Sequence, residues 1–288
     1  MTKIWSGLLV FVLFGCADES AVSVGPPSRI VLVTLDTLRA DHMSAYGHPI
    51  QTTPFIDSLA ENGALFRRAF SHSATTKPSH VSIFTSLYVM QHGVEQNGVV
   101  LDRSFRTLAE MLSGQGFRTA AFVSIDVPLG GNLDQGFETW DQFQPPPSQR
   151  HLGLYRPARE TVDAARTWLE TVDSSEKVFL WLHVYDPHRP MSPPREHLDR
   201  INRMIDEIGP EEYSALLEER GIPSKPEIQA EIVEYDAEIL YVDTEIELLF
   251  RDMQEAGLGE DAIWIITGDQ GQVLGAHEWF GHSKQIYN

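Results

Sequence analysis

Cysteine is almost missing from this 288-residue chain: the only one is Cys16. An internal disulfide is therefore excluded, and so is a cysteine nucleophile in the region that follows. Positive charge is scarce too. The chain has 22 Lys and Arg against 41 Asp and Glu, a formal net charge of −19, and no basic run stands out. That balance excludes the positive footprint a nucleic-acid partner requires. An anionic substrate would have to be met by a locally positive pocket on an acidic protein. Long apolar runs are lacking as well. The greasiest stretch, Ile4 to Phe14, is too short to span a bilayer comfortably. No internal repeat is visible.

What is present is ordinary for a folded domain: 42% hydrophobic and 22% charged residues, at a length suited to one large α/β domain or two small ones. The N-terminus, "MTKIWSGLLVFVLFGC", reads as a signal peptide with Lys3 at its positive end. "LFGC" resembles a bacterial lipobox, which implies lipidation of Cys16. The expected product is exported, periplasmic or attached to the outer membrane by its lipid anchor alone. Residues 17–28, "ADESAVSVGPPS", form the expected flexible tether.

From Arg29 onward, continuous β-branched runs alternate with amphipathic patterns. "RIVLVTL", "TAAFVS", "VFLWLHVY" and "AIWIIT" read as strands buried on both faces. "TPFIDSLAENG" reads as a helix with a Thr53 cap, Pro54 in its first turn and Gly63 as a stop. "SFRTLAEMLSGQG" and "PARETVDAARTWLETV" repeat that logic. The longest helix is expected from about Glu227 to Ala256, where Ile228, Ile232, Tyr235, Ile239, Val242, Ile246, Leu249 and Met253 recur at steps of three and four. Residues 186–226 show few apolar periods and read as an excursion over the surface. The expected fold is α/β, a mostly parallel central sheet with helices on both faces.

In such sheets ligands bind beyond the carboxyl ends of the strands. Asp36, Thr37 and Arg39 follow the first run; Asp186, Pro187 and His188 follow the third, with His183 still inside it; Asp269 and Gln270 follow the last. Two carboxylates converging there repel unless a cation lies between them. Asp36, Asp269 and the Gln270 amide oxygen form a hard oxygen set, suited to Ca²⁺ or to Mg²⁺ or Mn²⁺. The stretch "SHSATTKPSHVSIFTS" places Thr76 or Lys77 at the N-cap of a helix, with Pro78 in its first turn. Free N–H groups there, with Lys77 and His80, would bind an anion. The Thr76 hydroxyl becomes a plausible nucleophile once a divalent cation binds it. His277, His282 and Lys284 follow closely after Asp269.

Taken together, these segments resemble the sulfatase family of the alkaline phosphatase superfamily. "IVLVTLDTLRADHMSAYG" resembles its first metal segment, "TTKPSHVSIFTSLYVMQHGV" its nucleophile loop, "HVYDPHRPMSPP" its substrate segment and "ITGDQGQVLGAHEWFGHSKQIY" its second metal segment. The resemblance runs from about Arg29 to the last residue. It implies an alkaline-phosphatase/sulfatase-like fold and hydrolysis of sulfate or phosphate esters. It implies Asp36, Asp269, Gln270 and Thr76 as metal ligands, with Thr76 also the nucleophile. It further implies catalytic roles for His80, His188 and Lys284, and substrate contacts for Lys77, His183 and His282. The implied substrate is a sulfated glycan or a phosphoester.

The departures point elsewhere. Thr76 stands where ordinary sulfatases place the cysteine that becomes formylglycine, His80 where they place Arg, Thr37 for a second Asp, and Gln270 for His or Asn. Threonine cannot become formylglycine, whereas superfamily phosphodiesterases and phosphoethanolamine transferases use it directly. A transferase acting on an envelope lipid or glycan is thus an alternative. Family members also continue past the equivalent of Tyr287, so the catalytic domain, residues 29–288, is expected to be incomplete at its C-terminus. A missing strand would expose apolar sheet surface, and an inactive truncated lipoprotein is a further alternative.

Overall fold

The computed structural model describes residues 26–125, 131–152, 154–222, 225–259, 261–275 and 280–282. Five parallel strands form the central sheet: β1 (Arg29–Leu35), β2 (Phe117–Val123), β3 (Thr139–Gln142), β4 (Lys177–Val184) and β5 (Ala262–Gly268). Their order is β3-β2-β4-β1-β5. The strands expected to carry the site, β4, β1 and β5, are therefore adjacent. A short antiparallel pair, β6 (Val273–Leu274) and β7 (Phe280–Gly281), follows.

Side-chain alternation divides β1 between two cores. Val31, Val33 and Leu35 pack into the larger one, with α5 (Ala158–Leu169), α8 (Pro226–Glu255) and α1 (Pro54–Asn62). Leu32 joins the smaller one with Val81 and Phe84 of α2 (Thr76–Thr85) and Phe179 and Trp181 of β4. Thr34 and Asp36 continue that second row, as do His183 on β4 and, by the β1–β5 register, Asp269. One face of the sheet thus gathers the polar residues under the N-terminus of α2. On β5, the edge strand, Ile263 and Ile265 of this same row are exposed.

The eight apolar positions predicted for the long helix are all buried on α8. α1 begins at Pro54, but Thr53 does not cap it: its hydroxyl donates to Asp57 Oδ1 at 2.8 Å. Asp243 of α8 supplies the cap, accepting from Phe55 N and Ile56 N at 2.9 Å each.

Two further expectations are corrected, and one strand went unread. Residues 186–226 are not a surface excursion: they contain α6 (Arg195–Ile208) and α7 (Pro210–Glu219). Ile201, Ile205, Tyr213 and Leu217 enter the main core, a thin apolar stripe in an otherwise charged segment. β3 has no buried residue, so its pattern is silent. α2 begins with Thr76 at its first helical position, Thr75 as N-cap and Pro78 third. Among the described residues no helix is long and apolar enough to cross a membrane. Cys16 and the expected signal peptide lie outside the described residues.

Candidate active site

Asp36, Asp269, Thr76, His80 and His183 are all buried at the carboxyl ends of β1, β4 and β5, beneath the first turn of α2. Thr76 Oγ1 is 3.5 Å from Asp36 Oδ2. Gln270 Nε2 donates to Thr76 Oγ1 at 3.1 Å and to Asp36 Oδ1 at 3.3 Å. His183 Nε2 is 3.6 Å from Asp36 Oδ2, and His80 Nδ1 is 3.7 Å from Asp269 Oδ2. The structure thus brings together Asp36, Thr76, Gln270, His183, His80 and Asp269.

Thr37 joins them through its backbone. It sits at φ 58°, in the left-handed region, which costs a β-branched residue about 1–3 kcal/mol. Its N–H donates to Asp269 Oδ1 at 3.1 Å and its carbonyl accepts from Tyr235 Oη at 2.7 Å. Ser71 Oγ and Ser79 Oγ both donate to the Asp269 carbonyl. These contacts hold the two carboxylate-bearing turns together.

The electrostatics are those of a site short of positive charge. Burial works against the Asp36 charge, yet the approach of His183 and the charges of His188 and His80 outweigh it and hold Asp36 below the ordinary carboxylate range. Burial and the Asp36 charge together push Asp269 well above that range. Burial, with His183 beside it, lowers His80 to about 3. Among the buried side-chain atoms without a hydrogen-bond partner, four belong to this site: Thr37 Oγ1, His183 Nε2, Asp269 Oδ2 and Gln270 Oε1. A protein rarely leaves so many unsatisfied in one place. A divalent cation would draw on Asp36, Asp269 and, after a half-turn of its amide, Gln270 Oε1 only if these side chains closed in: among the described residues the His/carboxylate group with ligand atoms all within 4.8 Å of one another is His42, His48 and Asp236.

The remaining predicted residues are placed less centrally. His188 Nε2 and His282 Nε2 are 2.8 Å apart, and His282 Nδ1 is 3.4 Å from the Ala74 carbonyl, so this pair stands beside the nucleophile loop. Lys77 faces Gly131: a Cβ at that glycine, φ +58°, would lie 2.7 Å from Nζ, and Asp134 is its charged neighbour. The expected row of free N–H groups is also shorter, because Lys77 N donates to Asn97 Oδ1 at 2.9 Å and Pro78 has none. Lys284 and His277 lie outside the described residues. Thr34, whose hydroxyl meets His80 Nε2 and His183 Nδ1, and Trp181, whose Nε1 donates to it, were missed. The available signal was Thr34 itself, a hydroxyl inside an apolar strand two residues before Asp36.

A second cluster has the composition of a metal site. His42, His48 and Asp236 each offer a ligand atom, all within 4.8 Å of one another and buried. Protons already fill it. Arg220 donates to His48 Nδ1 at 3.0 Å, so the His48 proton is on Nε2, facing Asp236 Oδ2 at 2.9 Å. His42 Nδ1 faces Asp236 Oδ1 at 2.7 Å. Burial opposes the Asp236 charge, but the two imidazoles outweigh it and hold the carboxyl far below its ordinary value. This is a clamp between α8 and the 3₁₀ turns at Ala40–His42 and Ser44–Tyr46.

Comparison with known proteins agrees with this geometry. The family model described as Sulfatase matches residues 28–287. The ulvan-active sulfatase of Formosa agariphila is 26% identical over 307 residues, covering 97% of this chain and 58% of that protein. Less than two thirds of that relative's length is thus represented. The phosphonate monoester hydrolase of Agrobacterium radiobacter has a similar structure, with TM-score 0.70, 22% identity and coverage of 91% of this chain and 66% of that one. The C-terminal periplasmic domain of EcEptC from Escherichia coli, in complex with Zn, gives TM-score 0.67 at 17% identity, covering 90% and 69%. At these identities the structural matches speak for the fold.

Proposed function

The chain belongs to the sulfatase family, and on that premise we propose that it is an exported hydrolase of sulfate esters on glycans, using Thr76 as nucleophile and a divalent cation as cofactor. The observation that carries this reading is the convergence of Asp36, Asp269, Gln270, His183 and Thr76 around buried polar atoms without partners. The name of the ulvan-active relative supports a sulfated glycan.

When bound, the cation supplies Lewis acidity, making the Thr76 hydroxyl more acidic and neutralising charge on the ester's oxygens. The chain does the rest. The first turn of α2 points Thr76 Oγ1 at Asp36 Oδ2, the direction in which its proton leaves. Gln270 Nε2 donates to the same oxygen, and turning the amide would bring its oxygen to the cation instead. Attack forms a threonyl–oxygen bond to sulfur and breaks the bond to the glycan oxygen. That oxygen takes a proton from the His188–His282 pair beside the loop. Water then cleaves the threonyl ester, releasing sulfate and restoring Thr76. Asp36, Asp269, Gln270 and Thr76 would hold the cation. Cys16 would anchor the exported protein.

One observation favours a second reading. Thr76 cannot become formylglycine, so phosphate or phosphonate esters, or transfer of a phosphoryl-linked group, suit it chemically. The deciding experiment assays the full-length protein against paired aryl sulfate and aryl phosphate esters, with and without Thr76→Ala. Faster sulfate turnover, lost in Thr76→Ala, is expected. Turnover untouched by Thr76→Ala would remove the nucleophile from the scheme.

A further inference from the structure

The segment after β4 forms one wall of a groove that no role has yet absorbed. Arg189, Pro190 and Met191 face Glu227, Glu231 and Glu234 of α8 across about 370 Å³. Steps of four and three put those carboxyl groups on one side of the helix. Two contacts seat the segment there. Ser192 N donates to Glu238 Oε1 at 2.6 Å, and Arg189 pairs with Glu231, Nε to Oε1 and Nη2 to Oε2, at 2.9 Å each. The groove begins one residue from His188. The His188 Nδ1 donates to the Arg189 carbonyl, and its Nε2 meets His282 beside the nucleophile loop. A sugar leaving that histidine pair therefore has this groove at its edge. The volume lies at the lower end of ligand pockets, about 300–1,000 Å³, with room for one sugar ring.

The lining has a one-sided chemistry. Ionised carboxylates only accept hydrogen bonds, so a guest must donate them. Arg189 is the cation among the described lining residues, and its guanidinium is met by Glu231. Glu227 and Glu234 are exposed and, among the described residues, have no ion-pair partner. Adjacent sugar hydroxyls donate and match such acceptors. A second sulfate or a uronate carboxylate offers acceptors only, with charge of the same sign, and is repelled. Pro190 and Met191 add apolar surface for the C–H face of a ring.

We propose that this groove receives the sugar released by cleavage and selects a neutral or amine-bearing ring over one with a second anionic group, Glu227 and Glu234 being the specificity-determining residues. This rests on the proposed function and narrows its substrate class. One anionic group is accepted at the nucleophile loop, and another on the same sugar is refused.

The test is kcat/KM of the full-length protein for three probes: a monosulfated hexose, the same hexose with a second sulfate, and an aryl sulfate, which has no sugar. The wild type prefers the monosulfated hexose by about 10-fold, two exposed like-charge contacts at about 3-fold each. The preference shrinks at high salt, as repulsion between exposed charges must. The double variant Glu227→Gln, Glu234→Gln brings the ratio near one, through KM, whereas Glu227→Asp, Glu234→Asp keeps it. A purely structural role would move neither the ratio nor its salt dependence. No wild-type preference, or a preference that survives in the glutamine variant, would overturn the assignment. The aryl sulfate separates the two failures. If the wild type cleaves it while the hexose ratio stays flat, only the groove assignment falls; if no sulfate ester is cleaved, the proposed function falls and takes the groove with it.

Discussion

The His42–His48–Asp236 cluster and the His183–Asp36 contact use the same side chains at the same depth, yet one is closed and the other open. In the first, imidazole and carboxylate atoms meet at 2.7 and 2.9 Å, with Arg220 setting the His48 tautomer from behind. In the second they stand 3.6 Å apart, with unpartnered atoms around them. Each buried polar atom left alone costs about 1–3 kcal/mol, and the first cluster leaves one such atom, His42 Nε2, where the second leaves several. A binding cluster is kept apart by its scaffold. Composition alone therefore does not separate them: in the tighter triad the imidazole nitrogens already face the carboxylate oxygens.

The largest expected effect separates the two regions by activity. Thr76→Ala lowers turnover by about 10³-fold or more in a steady-state assay while leaving the melting temperature near the wild type's. Asp236→Asn does the reverse. It costs about 3–5 kcal/mol in denaturant unfolding, because two imidazole donors lose their charge partner, and it leaves metal stoichiometry at one. A second metal equivalent in the wild type, lost in Asp236→Asn, would break the comparison.

Next in size is a carboxyl pair between the helix that serves both regions and the loop after β4. Glu238 of α8 is two residues from Asp236 and contacts Asp186, two residues past the β4 end. Burial, with the Asp186 charge, pushes Glu238 up to about 8, and burial, with Glu245 nearby, pushes Asp186 up to about 7. These folded values lie above the unfolded ones, so the stability they contribute is full below about pH 4 and is lost as pH rises through 7 to 8. Glu238→Gln should flatten that loss and add about 1–2 kcal/mol at pH 8 in unfolding titrations across pH. A parallel curve for the variant would show that the pair does not titrate there. The smallest effect belongs to Arg220→Leu, at about 1 kcal/mol of stability. It frees His48 Nδ1, and a weak second Zn²⁺ equivalent should appear by calorimetry. If none appears, Arg220 is not what keeps metal out.

Much of this was legible in the sequence because buried parallel strands are continuous apolar runs and their ends hold the chemistry. Asp36, Asp269, Gln270 and Thr76 could be read from position alone. The clamp could not: His42 and His48 lie close in sequence, but Asp236 is about 190 residues away on a helix chosen by packing. Thr34 and Trp181 were hidden inside their strands, since nothing in a pattern says which buried hydroxyl meets which ring. α6 and α7 were hidden by thrift, with only a narrow apolar stripe each.

The pairing of Thr34 with His183 on one side and Thr267 on the other has a further consequence. Because successive residues of a strand face opposite ways, a slip of β1 by a single position would send Asp36 and Thr34 into the larger core and a leucine into the candidate site. The proposed chemistry is thus stored partly in alignment, and hydrophobic substitutions far down β1 should disrupt the candidate site without touching any of its residues.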